Sequence, residues 1–209
     1  MRRATRTLAL GVLCFMSGCE GGTEVRRRAF ADGSPWSEIH LRSGVPHGIW
    51  RTWYADGQPK SDGSYREGLR EGPWSAWWPN GEPQWTGAYL AGEPHGAWHH
   101  GFADGQSAST GSYLRGRREG AWTEWFGDGK LRAEVTFADG LQHGLSRRYW
   151  PTGSPREEAT FEHGVKEGPY RAFFEDGGLL MEGAYAAGEK TGSWVRYRRD
   201  GSVFSTEEY

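Results

Sequence analysis

The chain has 209 residues, a formal net charge of −2, 33 glycines, 12 tryptophans and 14% aromatic residues. Isoleucine occurs only at Ile39 and Ile49, which excludes the usual aliphatic core, and regularly spaced aromatic residues argue against disorder. Arg and Lys are scattered among as many acids, so the clustered basic surface needed for nucleic-acid binding is not expected.

The amino terminus has the features of a targeting signal. Residues 1–6 are basic, residues 7–16 form an apolar run too short to span a bilayer, and small residues precede Cys19. Met16-Ser17-Gly18-Cys19 resembles a bacterial lipobox, which implies cleavage after residue 18 and acylation of Cys19. An ordinary secretory signal is the alternative. Residues 19–28 are then a polar tether, and Glu20 in place of the Asp that marks inner-membrane retention favours the outer membrane.

The two cysteines, Cys14 and Cys19, both lie in this segment. We therefore expect no disulfide, zinc site or cysteine nucleophile in the rest of the chain.

From residue 29 to residue 209 the sequence repeats with a period of 24 residues, about eight times. Three glycine positions keep this register, beginning at Gly44, Gly48 and Gly57, and so do two aromatic positions. The first aromatic series is Trp50, Trp74, Trp98, Trp122, Tyr170 and Trp194, with Ser146 as the missing member, and the second runs from Tyr65 to Tyr209. Such regularity indicates a repeat architecture in which each unit contacts only its neighbours.

Each repeat predicts one β-hairpin. Residues 50–54 favour a strand, and Asp56-Gly57 after them predicts a two-residue type I′ turn. The segment from Gly68 to Gly72 is then a short loop between hairpins. The predicted fold class is all-β, an elongated and twisted single-layer antiparallel meander of about sixteen strands.

Counting from that turn places Trp50 opposite Gly63, so that the ring of Trp50 covers the bare glycine. The structural positions of the repeat are Gly48, Trp50, Gly57, Gly63, Tyr65 and Gly68. One face then carries Trp50, Thr52, Tyr54, Ser61, Gly63 and Tyr65. The other carries the Trp53 row, which comprises Trp53, Trp77, Trp125, Tyr149, Phe173 and Tyr197. Because both faces cannot be buried in a single layer, we expect the Trp53 row to form an accessible apolar stripe that binds a ligand.

The motif Gly-x-Trp-x-x-Trp-Tyr-x-Asp-Gly at residues 48–57, followed by Tyr65 and Gly68, resembles the MORN-repeat variant of bacterial proteins, some of which carry an antitoxin label. The resemblance covers residues 29–209. It implies a hairpin array used for protein or lipid recognition, without catalytic residues. The antitoxin label fits poorly with an exported chain.

Other chemistry finds little support. Residues 183–191 nearly spell a P-loop, but Glu189 interrupts the motif and the repeat register explains both of its glycines. His47, Glu71, His95, Glu119, His143 and Glu167 alternate at one position, at spacings too wide for a shared metal. The sequence predicts no catalytic residue, metal site or cofactor.

The function predicted is that of a lipid-anchored, non-catalytic scaffold in the bacterial cell envelope that binds a protein or an envelope glycan or lipid. The alternative is a carbohydrate or cell-wall binding module, because rows of Trp and Tyr also suit sugar faces. Accessible Trp53-row rings flanked by hydrogen-bonding side chains would favour that alternative.

Overall fold

The structure is a computed structural model that describes residues 13–15 and 22–209. Its contacts divide the chain into an amino-terminal unit, which reaches to Gly105, and a carboxy-terminal unit, from Gln106 to Tyr209. Cys19, the lipobox and most of the predicted signal peptide lie outside the described residues.

Each unit is an antiparallel β-meander in which consecutive strands pair. The amino-terminal unit contains β1 (Leu13–Phe15), β2 (Thr23–Ala29), β3 (Pro35–Arg42), β4 (Val45–Trp53), β5 (Pro59–Arg66), β6 (Leu69–Trp77), β7 (Pro83–Leu90) and β8 (Glu93–Gly101). The carboxy-terminal unit contains β9 (Ser107–Leu114), β10 (Arg117–Trp125), β11 (Leu131–Ala138), β12 (Leu141–Tyr149), β13 (Pro155–Glu162), β14 (Val165–Phe173), β15 (Leu179–Ala186), β16 (Glu189–Tyr197) and β17 (Val203–Glu208). The predicted fold class is confirmed, and residues 22–209 contribute sixteen strands and no helix.

Strand β2 lies mostly within the stretch 19–28 that the sequence assigned to a tether. It pairs with β3 from Thr23↔Arg42 to Ala29↔Pro35. Its residues stand 24 positions before those of β4, so β2 is the first strand of the first repeat. The sheet therefore begins before residue 29.

The Asp-Gly loops differ from the predicted two-residue turns. Tyr54 N donates to Gln58 O at 2.9 Å and Gly57 N donates to Tyr54 O at 3.0 Å, so the loop has three residues. Of Asp56 and Gly57, only Gly57 has a positive φ, at 88°. The Asp56 carboxylate accepts a hydrogen bond from Gln58 N at 3.0 Å, an Asx turn that favours this geometry. The predicted type I′ turn at Asp56-Gly57 is therefore wrong.

The two-residue type I′ turns lie at the other end of the hairpins. In the turn between β5 and β6, Arg66 pairs with Leu69, and Glu67 and Gly68 have φ values of 51° and 83°. A positive φ at both central positions is the requirement of a type I′ turn. The same turn recurs at Ser43, Ala91, Arg115, Asp139, His163 and Ala187, each followed by glycine.

The predicted loop from Gly68 to Gly72 is also wrong, because most of it belongs to strand β6. The pairing passes from Asp62↔Ser75 to Ser64↔Glu71, which leaves two extra residues on β6. Gly72, with a φ of 70°, and Pro73 stand in this bulge. Glycine supplies the positive φ, and proline is tolerated because a bulge residue need not donate to the ladder.

We call the side that carries Trp74 and Ala76 the aromatic face, because it holds the Trp50 and Tyr65 series. Trp50 does pair with Gly63, as predicted, but the ring over that glycine belongs to Trp74 on the next strand. A Cβ atom on Gly63 would stand 2.1 Å from the Trp74 ring. The expectation that Trp50 covers Gly63 is thus wrong. The same contact joins Trp98 to Gly87, Trp122 to Gly111 and Trp194 to Gly183.

Residue sizes across this contact compensate each other. Three repeats have a larger residue than glycine at this position. Ile39 pairs with Trp50, Val135 with Ser146 and Ala159 with Tyr170. Trp50 stays only half-buried, whereas Trp122 over Gly111 is 1% exposed. Only glycine therefore lets the whole indole lie flat on the neighbouring strand.

Edge-to-face rings and cations cover the tryptophans from above. Tyr65 meets Trp74 with ring centroids 5.2 Å apart, and the Arg70 guanidinium lies 4.7 Å from the Trp74 centroid. The indole nitrogen of Trp74 donates to Ser64 O at 3.1 Å. Cations occupy the same place over Trp122, Tyr170 and Trp194. These contacts give a one-layer sheet the packing that a second layer supplies in a sandwich.

Replacing Gly111 with alanine should destabilise the protein by about 1–3 kcal/mol, because the new Cβ would stand 2.1 Å from the buried Trp122 ring. Urea unfolding followed by tryptophan fluorescence measures this change. The matched control is Gly127→Ala, since nothing lies within 4 Å of a Cβ at that turn glycine. Equal stability of the two variants would show that the glycine is not needed for the ring.

Candidate binding surfaces

The side of the sheet opposite the aromatic face carries a central row of cross-strand ion pairs, and we call it the ion-pair face. Arg51 Nε lies 3.2 Å from Asp62, Arg147 Nε lies 3.3 Å from Glu158, and Arg171 Nε lies 3.5 Å from Glu182. Exposed pairs of this kind contribute about 0–1 kcal/mol each. They fix a pattern of alternating charge on the surface more than they stabilise the fold.

The Trp53 row lies beside these ion pairs on the ion-pair face, as the alternation of the strands predicts. Tyr149 Oη donates to Glu134 at 2.7 Å, and Tyr197 Oη donates to Glu182 at 2.8 Å. Trp53 borders a hollow of about 380 Å³ together with Pro35 and Glu38. All six members of the row are half-buried, so none of their rings is fully exposed.

Burial and the carboxylate of Glu134 together raise the pKa of Tyr149 to about 12. Burial, and after it the charge of Glu157, raises the pKa of Tyr170 on the aromatic face to about 12 as well. The pKa of Tyr197 is also raised, chiefly by its hydrogen bond to Glu182. These phenols are neutral donors at physiological pH and serve as fixed hydrogen-bonding groups.

A second apolar row, missed from the sequence, runs along the type I′ turns on the ion-pair face. We call it the turn row. It contains Val45, Leu69 and Leu90 in the amino-terminal unit, and Leu114, Leu141 and Val165 in the carboxy-terminal unit. Leu69 is 50% exposed although it lies against Gly92 of the following turn. The recurrence of Val45, Leu69, Leu141 and Val165 at multiples of 24 residues was the signal that could have revealed it.

The alternating His and Glu series supports the turns. The backbone N–H of Ala91, in a type I′ turn, donates to Glu71 at 2.9 Å, and Ala187 N donates to Glu167 at 2.7 Å. His47 accepts from Glu67 N at 3.5 Å in the same manner. These side chains satisfy turn donors that the ladder leaves free.

Within residues 22–209 no cluster of three or more His, Asp and Glu side chains is arranged to hold a metal ion. Nor do the described ranges contain a helix with the length and apolar character needed to cross a bilayer.

Comparison with known families gives three matches to the MORN repeat variant, at residues 46–67, 118–139 and 142–163. The matches begin 72 and then 24 residues apart, in phase with the repeat, and each spans two strands and the loop between them, which is Asp-Gly in the first two and Thr152-Gly153 in the third. They support a MORN-repeat protein and confirm that interpretation of the sequence. The bacterial origin, the antitoxin label and the lipoprotein signal stay predictions.

No curated protein matches the chain. Among solved structures, one titled "Crystal Structure of TcdB2-TccC3-Cdc42" is similar over 85% of this chain at 10% identity, with a TM-score of 0.20. The chain spans 13% of the length of that protein chain.

Replacing Glu134 with glutamine should lower the pKa of Tyr149 from about 12 toward its ordinary value of 10, because the negative charge beside the phenol is removed. A raised pKa in the folded state stabilises the fold fully below pH 10. That contribution disappears as the pH rises from 10 to 12, and the variant should lose part of this pH dependence. NMR titration of labelled tyrosine measures the shift. Glu158→Gln, whose charge acts on Tyr149 more weakly, serves as the control, and an unchanged Tyr149 pKa in Glu134→Gln would contradict the assignment.

Proposed function

We propose that this chain is a lipid-anchored, non-catalytic interaction scaffold of the bacterial cell envelope, held in the outer membrane through Cys19. MORN repeats are generally protein-interaction or membrane-interaction modules, and three segments here match them. The ion-pair face of the scaffold contacts a protein or another envelope component.

The observation that carries the proposal is the arrangement of the ion-pair face. Two apolar rows, the Trp53 row and the turn row, flank the central ion pairs, which occur on β2–β3, β4–β5, β12–β13 and β14–β15. Contact surfaces of proteins combine apolar anchors with satisfied polar groups in this way. The aromatic face has its rings covered by its own cations and tyrosines, so it offers less apolar area to a partner.

The half-buried state of the Trp53 row favours a protein surface over the carbohydrate alternative. Stacking on a sugar needs an exposed ring face, and every residue of the row is partly buried. The exposed apolar atoms of the ion-pair face lie instead in aliphatic side chains such as Leu69 and Leu141.

Replacing Cys19 with serine should abolish incorporation of labelled fatty acid and release the protein from the membrane fraction, because the thiol that carries the lipid is gone. Metabolic labelling followed by fractionation measures both effects. Cys14→Ser is the matched control, since Cys14 precedes the predicted cleavage site. Labelling that persists in Cys19→Ser would overturn the lipid anchor at Cys19. It would not bear on the contact surface, which a separate experiment tests.

The contact surface is tested by capture from envelope extracts with the full-length protein in detergent. The variant Leu69→Ser with Leu141→Ser removes exposed apolar groups from both units and should reduce capture of a protein partner at least tenfold. A second variant changes Trp53, Trp77 and Trp125 to alanine and is checked for folding by circular dichroism. Both variants are expected to weaken capture.

The control variant is Arg196→Ser, an exposed change on the aromatic face, which should leave capture unchanged. Undiminished capture by both ion-pair-face variants would refute this surface. Captured glycan in place of protein would move the conclusion to the carbohydrate alternative.

A further inference from the structure

The first aromatic series lacks a ring at one position, the buried Ser146 on β12, and a cavity lies against Val135, the residue that pairs with Ser146. In the intact repeat the Trp74 ring lies on Gly63, meets Tyr65 edge-on at 5.2 Å and lies under Arg70 at 4.7 Å. Three repeats later, Val135 stands at the position of Gly63, Phe137 at that of Tyr65 and Gln142 at that of Arg70. All three line one cavity in the carboxy-terminal unit.

This cavity has a volume of about 520 Å³ on the aromatic face. Val135 opposite Ser146 fills only part of the space that an indole occupies elsewhere, since valine is much smaller than tryptophan. The volume lies in the range of small-molecule binding sites. The cavity lies next to the position of the missing ring, and its apolar lining residues include Phe126, Val135 and Phe137.

The rim of the cavity is strongly basic. Four arginines and one glutamate line it, a net formal charge of +3, and they are Arg118, Arg132, Arg148, Arg156 and Glu124. Glu124 lies 3.8 Å from Arg118 and 4.0 Å from Arg132. Arg148 lies 3.9 Å from Glu157, and Arg118 and Arg156 lie over the rings of Trp122 and Trp150. The three ion-pair separations exceed hydrogen-bond length, so these guanidinium groups retain N–H donors for another acceptor.

A buried polar atom marks the same place. Gln142 Oε1 is buried in the cavity wall without a hydrogen-bond partner in the described part of the chain. Buried polar groups almost always have a partner, and an unsatisfied amide oxygen lacks a donor. The N–H of a heteroaromatic ring can supply that donor, whereas an anionic group cannot. The aligned positions in other repeats hold Arg70 and Lys166, whose cations lie over rings, whereas Gln142 faces the gap.

We propose that this cavity binds a small organic anion that combines a flat apolar ring with a carboxylate or phosphate group. The ring takes the place of the absent tryptophan beside Val135 and Phe137. The anionic group accepts hydrogen bonds from the arginines of the rim, the residue type that matches planar anions best. The site lies on the aromatic face and shares with the contact surface proposed above one lining residue, Tyr149.

The first test titrates the full-length protein in detergent with indole-3-acetate and, separately, with indole-3-acetamide, by isothermal titration calorimetry. The two probes share the ring and differ in charge. We expect indole-3-acetate to bind at least tenfold more tightly than the amide. Equal binding of the two, binding of inorganic phosphate as tight as that of indole-3-acetate, or no heat at millimolar indole-3-acetate would overturn the proposal.

The second test restores the repeat. Val135→Gly with Ser146→Trp recreates the glycine and tryptophan pair found at Gly111 and Trp122, and should fill the cavity, keep or raise the melting temperature and abolish binding. Arg148→Gln should weaken indole-3-acetate at least tenfold, while Arg171→Gln on the ion-pair face should not change it. Binding retained by the restored variant, or equally weakened by Arg171→Gln, would place the ligand elsewhere.

Discussion

The structure depends on one contact, a tryptophan ring lying flat on a glycine of the preceding strand. A single sheet has no second layer to bury its side chains, so the apolar area removed from water must lie between neighbouring strands. Glycine makes this possible at Gly63, Gly87, Gly111 and Gly183, because any Cβ there would enter the indole. The bulge at Gly72 and its equivalents lies just before the tryptophan on the same strand, and the indole nitrogen donates to the backbone of the neighbouring strand, as Trp74 does to Ser64.

Because of this contact, the aromatic face provides most of the packing and the ion-pair face provides little. Rings and cations of the aromatic face satisfy one another, as Arg70 does by donating to Tyr89 at 2.7 Å while it covers Trp74. The ion-pair face is stabilised only weakly by its own side chains, and it is therefore free to vary without loss of the fold. Ser146, where the ring of the series is missing, pairs with Val135, and Val135 lines a cavity that four arginines surround.

Much of this was visible in the sequence, because the 24-residue period fixes which residues can meet. The register of Trp50 with Gly63 was predicted correctly through two errors that cancel: the Asp56-Gly57 loop has one residue more than expected, and a bulge after Thr52 shifts the pairing back. Alternation along the strands placed the Trp53 row on the correct face. Sequence spacing could not reveal that Trp74 covers Gly63, since both neighbours of a glycine are tryptophan-bearing strands and the choice depends on side-chain rotamers. It also could not reveal the cavity, which arises from the volume that residues of four strands, β10 to β13, leave unfilled.

The type I′ turns also tie each hairpin to the previous one. Gly68 N donates to Pro46 O at 2.8 Å, and Gly92, Gly140, Gly164 and Gly188 donate to carbonyl groups 22 residues earlier in the same way. Every such link reaches back less than one period, so each hairpin needs only its predecessor as a template. Chains built by this rule close short loops, which favours fast folding and lets hairpins join in the order in which they leave the ribosome or a translocation channel. The same rule makes length an evolvable property, because a duplicated 24-residue segment meets, on both sides, the partners it already had.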